Sequence, residues 1–193
     1  EVGGSAGLGH FTRTRALANE FEKYHVETKF YIKRLGKIPG SFDQNNIEFL
    51  DWTDEEVLGK IVFQEDWDGI ITDSYKLNEP HVRILEKTNG KILHFDDNNK
   101  AIYKRGFVVN GALDANSLDY ISKNNIKHLL GSRYQVINQS FRKKGRNCVE
   151  KYNSINNIML SMGGTDIRKL TPKVLKVLKK IYPSTAIHIV GSS

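Results

Sequence analysis

The stretch Gly3-Gly4-Ser5-Ala6-Gly7-Leu8-Gly9-His10-Phe11-Thr12-Arg13 carries the fold prediction, because a glycine-rich loop leads here straight into an amphipathic pattern. Over residues 12–23, Leu17 and Phe21 fall on one side at helical spacing. Glycine allows positive φ and close approach of a ligand, and the first turn of a helix offers free N–H donors and a positive dipole end. The stretch therefore predicts a loop-to-helix turn suited to an anionic ligand or a reacting sugar.

Short apolar strands alternate with helices along the rest of the chain. A helix is indicated after a Thr53–Glu56 capping box, from Asn78 through Leu85 with Gly90 as its stop, after Ser117, and after Thr171. Strand patterns occupy residues 26–33, 47–50, 68–75, 91–95, 106–110, 157–162 and 186–190. This alternation predicts an α/β fold, a Rossmann-like parallel sheet flanked by helices, with the 68–75 strand buried.

The order of elements restarts late in the chain. Periodicity is lost and charge rises over residues 129–156, and part of 131–153 is predicted to connect two domains. We expect an N-terminal Rossmann-like domain with the catalytic loop at 1–145, and the start of a second α/β domain at 146–193. That second unit is far shorter than the roughly 100 to 150 residues of a typical domain, and the sequence opens on Glu1 without the strand expected before the glycine loop, so we expect a chain cut at both ends.

Composition indicates an ordinary globular chain. Its 193 residues are 39% hydrophobic and 26% charged, and no apolar run approaches the roughly 20 residues of a membrane span. The net charge of +7 is divided into short basic groups without interleaved aromatic residues, so nucleic acid is not the expected partner. The one cysteine, Cys148, excludes an internal disulfide and favours the cytoplasm.

Candidate catalytic residues lie in the opening stretch. His10 and Arg13 stand one helical turn apart and share a face, so both can address one ligand. The positive end of the helix disfavours an imidazolium, which would leave His10 neutral and able to accept a proton. The alternative for His10 is a helix cap with no chemical role.

Polar residues follow two of the predicted strands. Asp73, Ser74 and Tyr75 close one strand, and Asp96 and Asp97 close the next. Parallel strands end on one edge of a sheet, the edge that also receives the glycine loop. The carboxylates there could orient a histidine, activate water or bind sugar hydroxyls, or could instead cap the helices that follow.

Several other chemistries lack their motifs. The glycine loop is not a dinucleotide fingerprint, since Thr12 stands where the last glycine of G-x-G-x-x-G belongs, and no P-loop Gly-Lys-Ser/Thr follows it. The six histidines show no metal-ligand spacing, and there is no Gly-x-Ser-x-Gly elbow. We therefore expect neither a metal nor a cofactor.

The chain resembles UDP-sugar hydrolases of the pseudaminic acid pathway and, in the same pattern, spore coat polysaccharide biosynthesis proteins. The resemblance rests on five short motifs in order over nearly the whole chain: Gly7-Leu8-Gly9-His10 with Arg13, Thr72-Asp73-Ser74-Tyr75, Asp96-Asp97, Asn110, and Ser161-Met162-Gly163-Gly164-Thr165-Asp166. It implies two Rossmann-like domains in the arrangement of GT-B glycosyltransferases, with the active site in the cleft between them.

The resemblance also implies an activity. It is the metal-independent, inverting hydrolysis of the anomeric C–O bond of a UDP-linked acetamido sugar, which releases UDP and free sugar for surface polysaccharide or nonulosonic acid synthesis. His10 matches the catalytic histidine that acts on the attacking water. The other implied site residues are substrate-binding Gly7, Gly9, Arg13, Asp73, Tyr75 and Asp97, and nucleotide-binding Gly163, Gly164 and Thr165.

Two alternatives remain open at the level of sequence. A GT-B glycosyltransferase would use the same loop and histidine to activate an acceptor hydroxyl. A non-catalytic module that binds a sugar nucleotide or a polyanion would suit the net charge of +7. Because the second domain supplies most of the nucleotide contacts in the family, we expect this stretch of chain alone to be inactive.

Overall fold

The computed structural model describes residues 1–38, 45–120, 126–142, 154–162, 166 and 168–191. The chain divides into two compact units, Glu1–Lys143 and Lys144–Ser193. The boundary expected between residues 145 and 146 lies outside the described residues and stays a prediction. No helix in the described ranges is long and apolar enough to cross a membrane.

The first unit combines helices with parallel strands; the two alternate over residues 55–95, and no helix lies in residues 96–105 before the next strand. Its helices are α1 (Gly9–Phe21), α2 (Glu55–Gln64), α3 (Glu79–Leu85) and the single turn α4 (Gln139–Arg142). Its strands are β1 (Phe30–Ile32), β2 (Ile47–Phe49), β3 (Gly69–Asp73), β4 (Lys91–Phe95), β5 (Gly106–Asn110) and β6 (Ile126–Leu130). The predicted α/β class, a Rossmann-like parallel sheet with helices, is confirmed.

The main sheet of this unit has four strands in the order β3-β4-β5-β6, which is also their order in the chain. All neighbours are parallel, and Asp73 at the end of β3 is level with Phe95 at the end of β4. A separate parallel pair, β1-β2, is extended by a bridge between Val2 and Arg34. The polar residues at the carboxyl ends of β3, β4 and β5 therefore lie close to one another, along the same end of the main sheet.

Three apolar clusters hold the helices in place. Leu58 and Val62 of α2 pack with Leu85 of α3, and a second cluster joins α3 to β5 and β6. Phe11 of α1 packs with Val2 and with residues of β1 and β2. Since burying one such side chain contributes about 1.5–3 kcal/mol, Phe11 fixes the first turn of α1 against the β1-β2 pair.

One helix prediction and one strand prediction need correction. The helix expected after Ser117 is not present in residues 118–120, and 126–130 forms the strand β6. The strand β3, expected to be buried, lies at the edge of the main sheet, and Ile71 is 38% exposed. In both places the apolar pattern alone did not distinguish the alternatives, because short runs of this kind suit a helix, an edge strand and a central strand.

One helix start also differs from the prediction. The N-cap of α2 is Asp54, whose carboxylate accepts the N–H groups of residues 56 and 57, while the Thr53 hydroxyl donates to Asp51. The helix α3 begins after Asn78 and ends at Leu85, as the sequence predicts. A Cβ at Gly90 would overlap the carbonyl oxygen of Trp67, so this glycine is required by close backbone approach.

The second unit contains β7 (Asn157–Ser161), α5 (Thr171–Ile181) and β8 (Ala186–Val190), and its two strands pair in parallel. The Asp166 carboxylate accepts the N–H groups of Leu170 and Thr171, which holds the start of α5. A hydrogen bond from the Thr171 side chain, and then these two backbone bonds, lower the pKa of Asp166. Gly163, Gly164 and Thr165, predicted to bind nucleotide, lie outside the described residues.

Candidate functional site

The glycines of the loop fall into two pairs that differ in what surrounds them. A Cβ at Gly3 would lie 2.8 Å from the carbonyl oxygen of Lys37, and one at Gly4 would lie 2.8 Å from that of Leu35. These two glycines therefore allow the neighbouring backbone to approach. Gly7 and Gly9 are different, because a Cβ at either would meet no described atom within 4 Å.

Helix α1 begins at Gly9 and presents His10 and Arg13 toward the carboxyl ends of the sheet strands. The Nδ1 atom of His10 lies 2.6 Å from Oδ1 of Asp73, the last residue of β3. The side chain of His10 is 12% exposed and that of Asp73 is 3% exposed. Among the described residues, no hydrogen-bond partner meets the other ring nitrogen, Nε2.

Arg13 joins the two carboxylates that end β3 and follow β4. Its Nε and Nη2 donate to the two oxygens of Asp73 at 2.8 and 2.6 Å. Its Nη1 and Nη2 donate to the two oxygens of Asp97 at 2.9 and 3.1 Å. The guanidinium also lies 4.5 Å above the ring of Phe95. Burial lowers the pKa of Arg13, but the bonds and charges of Asp73 and Asp97 outweigh it, so the pKa stands above its usual value.

The neighbouring aspartates Asp96 and Asp97 have different surroundings. The Asp96 carboxylate is buried, accepting the Tyr103 hydroxyl at 3.0 Å and the N–H groups of residues 98 and 100. The Asp97 carboxylate faces Arg13, and the buried Asn110 side chain donates to the Asp97 carbonyl oxygen at 3.3 Å. A tight turn after β4 thus separates the two side chains and directs Asp97 to the site.

Tyr75 covers the histidine on its exposed side. Its ring meets the His10 ring edge-on, with centroids 4.5 Å apart, and its hydroxyl donates to Oδ2 of Asp97 at 3.4 Å. Tyr75 is 55% exposed, and Lys100 Nζ lies 5.8 Å from its ring centroid. Burial of the hydroxyl, and then the charge of Asp97, raise the pKa of Tyr75.

The structure brings five of the predicted site residues together, His10, Arg13, Asp73, Tyr75 and Asp97, and we call these five the ionic cluster. Gly7 and Gly9 adjoin it in the chain. Sequence reasoning missed Phe95, Lys100 and the role of Asn110. Phe95 and Asn110 are the last residues of β4 and β5, and that position was the signal available for both.

A further histidine lies in β4, one residue before Phe95. His94 of β4 is fully buried, stacks on Tyr103 with centroids 4.2 Å apart, and has its Nδ1 2.7 Å from the Thr72 hydroxyl. Burial lowers the pKa of His94 to about 3. This imidazole is therefore neutral at physiological pH and belongs to the core.

The ionic cluster has the geometry of an oriented base. An ionised carboxylate only accepts hydrogen bonds, so the short contact between Asp73 and His10 puts the proton of a neutral imidazole on Nδ1. The lone pair is then on Nε2. A water molecule or a substrate hydroxyl at Nε2 could be deprotonated there.

Comparison with known proteins gives one relative and no activity. No protein-family model matches the chain. The chain is 26% identical over 179 residues to the uncharacterized protein MJ1062 of Methanocaldococcus jannaschii. The alignment covers 89% of this chain and 37% of that protein, so the chain spans little more than a third of the length of the relative it matches.

Proposed function

We propose that this chain carries the catalytic histidine of a nucleotide-sugar hydrolase acting on a UDP-linked acetamido sugar. The observation that carries the proposal is the 2.6 Å contact between His10 Nδ1 and Asp73, which leaves Nε2 without a partner among the described residues. The order of motifs shared with UDP-sugar hydrolases supplies the substrate class. The part of the protein that binds UDP is proposed to begin with Gly163, Gly164 and Thr165.

In this reaction His10 removes a proton from water through Nε2, and the water oxygen forms a bond to the anomeric carbon. The bond from that carbon to the diphosphate oxygen breaks, and UDP leaves with the bonding electrons. Attack on the face opposite the leaving group inverts the anomeric centre. Because a diphosphate is already a good leaving group, the base matters more than an acid on the departing side.

The surroundings of His10 suit a sugar more than a phosphate. Both carboxylates of the ionic cluster are occupied by Arg13, and the exposed Tyr75 ring beside His10 offers an apolar face to a sugar. The open space at Gly7 and Gly9 supports the placement of a sugar ring next to Nε2. On this proposal the diphosphate is bound elsewhere, by the second domain.

The test is release of UDP from UDP-acetamido sugars by the natural full-length protein and its His10→Ala variant. We expect the variant to lose about 10²- to 10⁴-fold in kcat, the range of general base catalysis, with its fold retained. His25→Asn is the matched control, since His25 is exposed with a φ of 59° that asparagine tolerates. Unchanged turnover in His10→Ala would refute the assignment of His10.

Product analysis distinguishes the alternatives from the proposal. Transfer of the sugar to an added sugar or lipid acceptor, with little transfer to water, would make the protein a glycosyltransferase. Binding of a polyanion with steep salt dependence and no response to UDP-sugars would indicate a binding module. Free sugar of inverted configuration supports the hydrolase.

A further inference from the structure

The bonding of Arg13 is unusual for a residue expected to bind substrate. Four hydrogen bonds run from its Nε, Nη1 and Nη2 atoms to the two oxygens of Asp73 and the two of Asp97. A guanidinium has five N–H donors, so one donor remains. The Phe95 ring covers one face of the guanidinium. Little of this side chain is left to hold a phosphate.

The same bonds determine the charge around His10. Asp73 places one negative charge against the imidazole, Asp97 adds a second within the ionic cluster, and Arg13 supplies the positive charge that contacts both carboxylates. Without Arg13, protonation of His10 would be the nearest means of balancing the two carboxylates, since like charges sharing a site favour uptake of a proton. A protonated imidazole has no lone pair and cannot act as a base.

We propose that Arg13 is a positioning residue that holds His10 as the neutral imidazole with its proton on Nδ1, by occupying Asp73 and Asp97 in place of a histidine cation. Arg13 acts in two ways. Its positive charge balances the carboxylates, and its guanidinium also holds in place the Asp73 carboxylate that accepts Nδ1–H. The benefit of a free Nε2 rests on the proposed function, whereas the protonation state itself does not.

Other charged and titratable groups face His10 from each neighbouring element. Tyr75 and Asp73 come from the end of β3, Asp97 and Lys100 follow β4, and Glu1 accepts the Ser74 hydroxyl at 2.9 Å. Two other cations lie near these groups: Lys100, whose Nζ is 5.8 Å from the Tyr75 ring centroid, and the α-amino group of Glu1, which interacts with the charge of Asp73. Arg13 is the cation that contacts both carboxylates directly.

The test is nuclear magnetic resonance of the ¹⁵N-labelled imidazole at about pH 7.5, where neutral and charged rings differ in their nitrogen shifts. The His10 signal is assigned by its loss in His10→Asn. We expect the wild-type chain to show a neutral ring protonated on Nδ1. A charged ring, or a proton on Nε2, in the wild type would overturn the proposal without any variant having to fold.

Two variants separate charge from packing. Arg13→Gln is expected to convert His10 to the charged form, and Arg13→Gln with Asp97→Asn is expected to restore the neutral form, because one charge of each sign is then removed. Arg83→Gln is the matched control, since Arg83 pairs with Glu79 on the exposed face of α3. A neutral His10 in a folded Arg13→Gln chain would overturn the proposal.

Kinetics provide an independent readout in the natural full-length protein. A positioning role predicts that Arg13→Gln lowers kcat about 100-fold while KM stays within about threefold. A large rise in KM at unchanged kcat would instead make Arg13 a substrate ligand and overturn the proposal. If no UDP-sugar is turned over by the wild type, the proposed function fails while the resonance result still stands.

Discussion

Arg13 and Asp73 form a two-point ion pair, with Nε and Nη2 at 2.8 and 2.6 Å from the two carboxylate oxygens. The Asp73 side chain is almost fully buried, whereas that of Asp97, the other partner of Arg13, is 25% exposed. The contribution of an ion pair to stability depends on how strongly water screens the two charges that form it. The two aspartates should therefore differ in their contribution to stability.

Asp73→Asn is expected to lower the free energy of unfolding by about 3 kcal/mol, and Asp97→Asn by about 1 kcal/mol. Urea denaturation followed by tryptophan fluorescence measures this in the first unit, which contains both tryptophans, Trp52 and Trp67. Lys60→Gln, which removes an exposed ion pair to Glu56, is the control with almost no expected loss. Equal losses for the two aspartates would contradict the prediction.

Gly9→Ala is expected to separate folding from ligand binding. The new methyl group meets no described atom within 4 Å, and alanine in the first turn of α1 should stabilise the helix by about 0.5–1 kcal/mol. If a sugar occupies this space, KM for the UDP-sugar rises severalfold. A stabilised protein with an unchanged KM would place the sugar away from Gly9.

His94 is expected to make the first unit acid-sensitive. Its pKa of about 3 in the folded chain lies below the usual 6.5, so the unfolded chain binds the proton first and stability falls as pH drops below 6.5. Between pH 7.5 and 5 this loss amounts to about 2 kcal/mol. Urea denaturation at several pH values should show a flatter profile for His94→Phe.

The control for this pH profile is His188→Asn, an exposed position in the second unit. It should leave the fluorescence-detected pH dependence unchanged. The prediction is contradicted if the wild type and His94→Phe lose stability in parallel as the pH falls.

The fold could be predicted where patterns are local. The strands at 91–95, 106–110 and 186–190 have the bounds expected from their apolar runs, because a short apolar run can be located from its own residues. The strand Ile126–Leu130 could not be recognised, since its pairing with β5 is a long-range interaction that its own residues do not encode. The cap of α2 was misassigned for a related reason, as Thr53 and Asp54 both suit that position.

For the candidate site, the sequence predicts which residues lie near one another but not how their side chains are oriented. Parallel topology places residues that end β3 and follow β4 at one edge, and helical spacing puts His10 and Arg13 on one face. Which of Asp96 and Asp97 turns toward Arg13 depends on the turn after β4, on Tyr103 and on Asn110. Such side-chain directions follow from packing across the whole unit and have no signature in a short motif.

The ionic cluster also has a mechanical consequence. His10 and Arg13 belong to α1, which packs with the β1-β2 pair through Phe11, while Asp73 and Asp97 extend from the four-stranded sheet. The hydrogen bonds that orient the imidazole therefore also link α1 to the four-stranded sheet of the first unit. Any change that weakens this link alters the orientation of His10 and the stability of the first unit together, so substitutions in α1 and at the ends of the sheet strands should be accepted in compensating pairs.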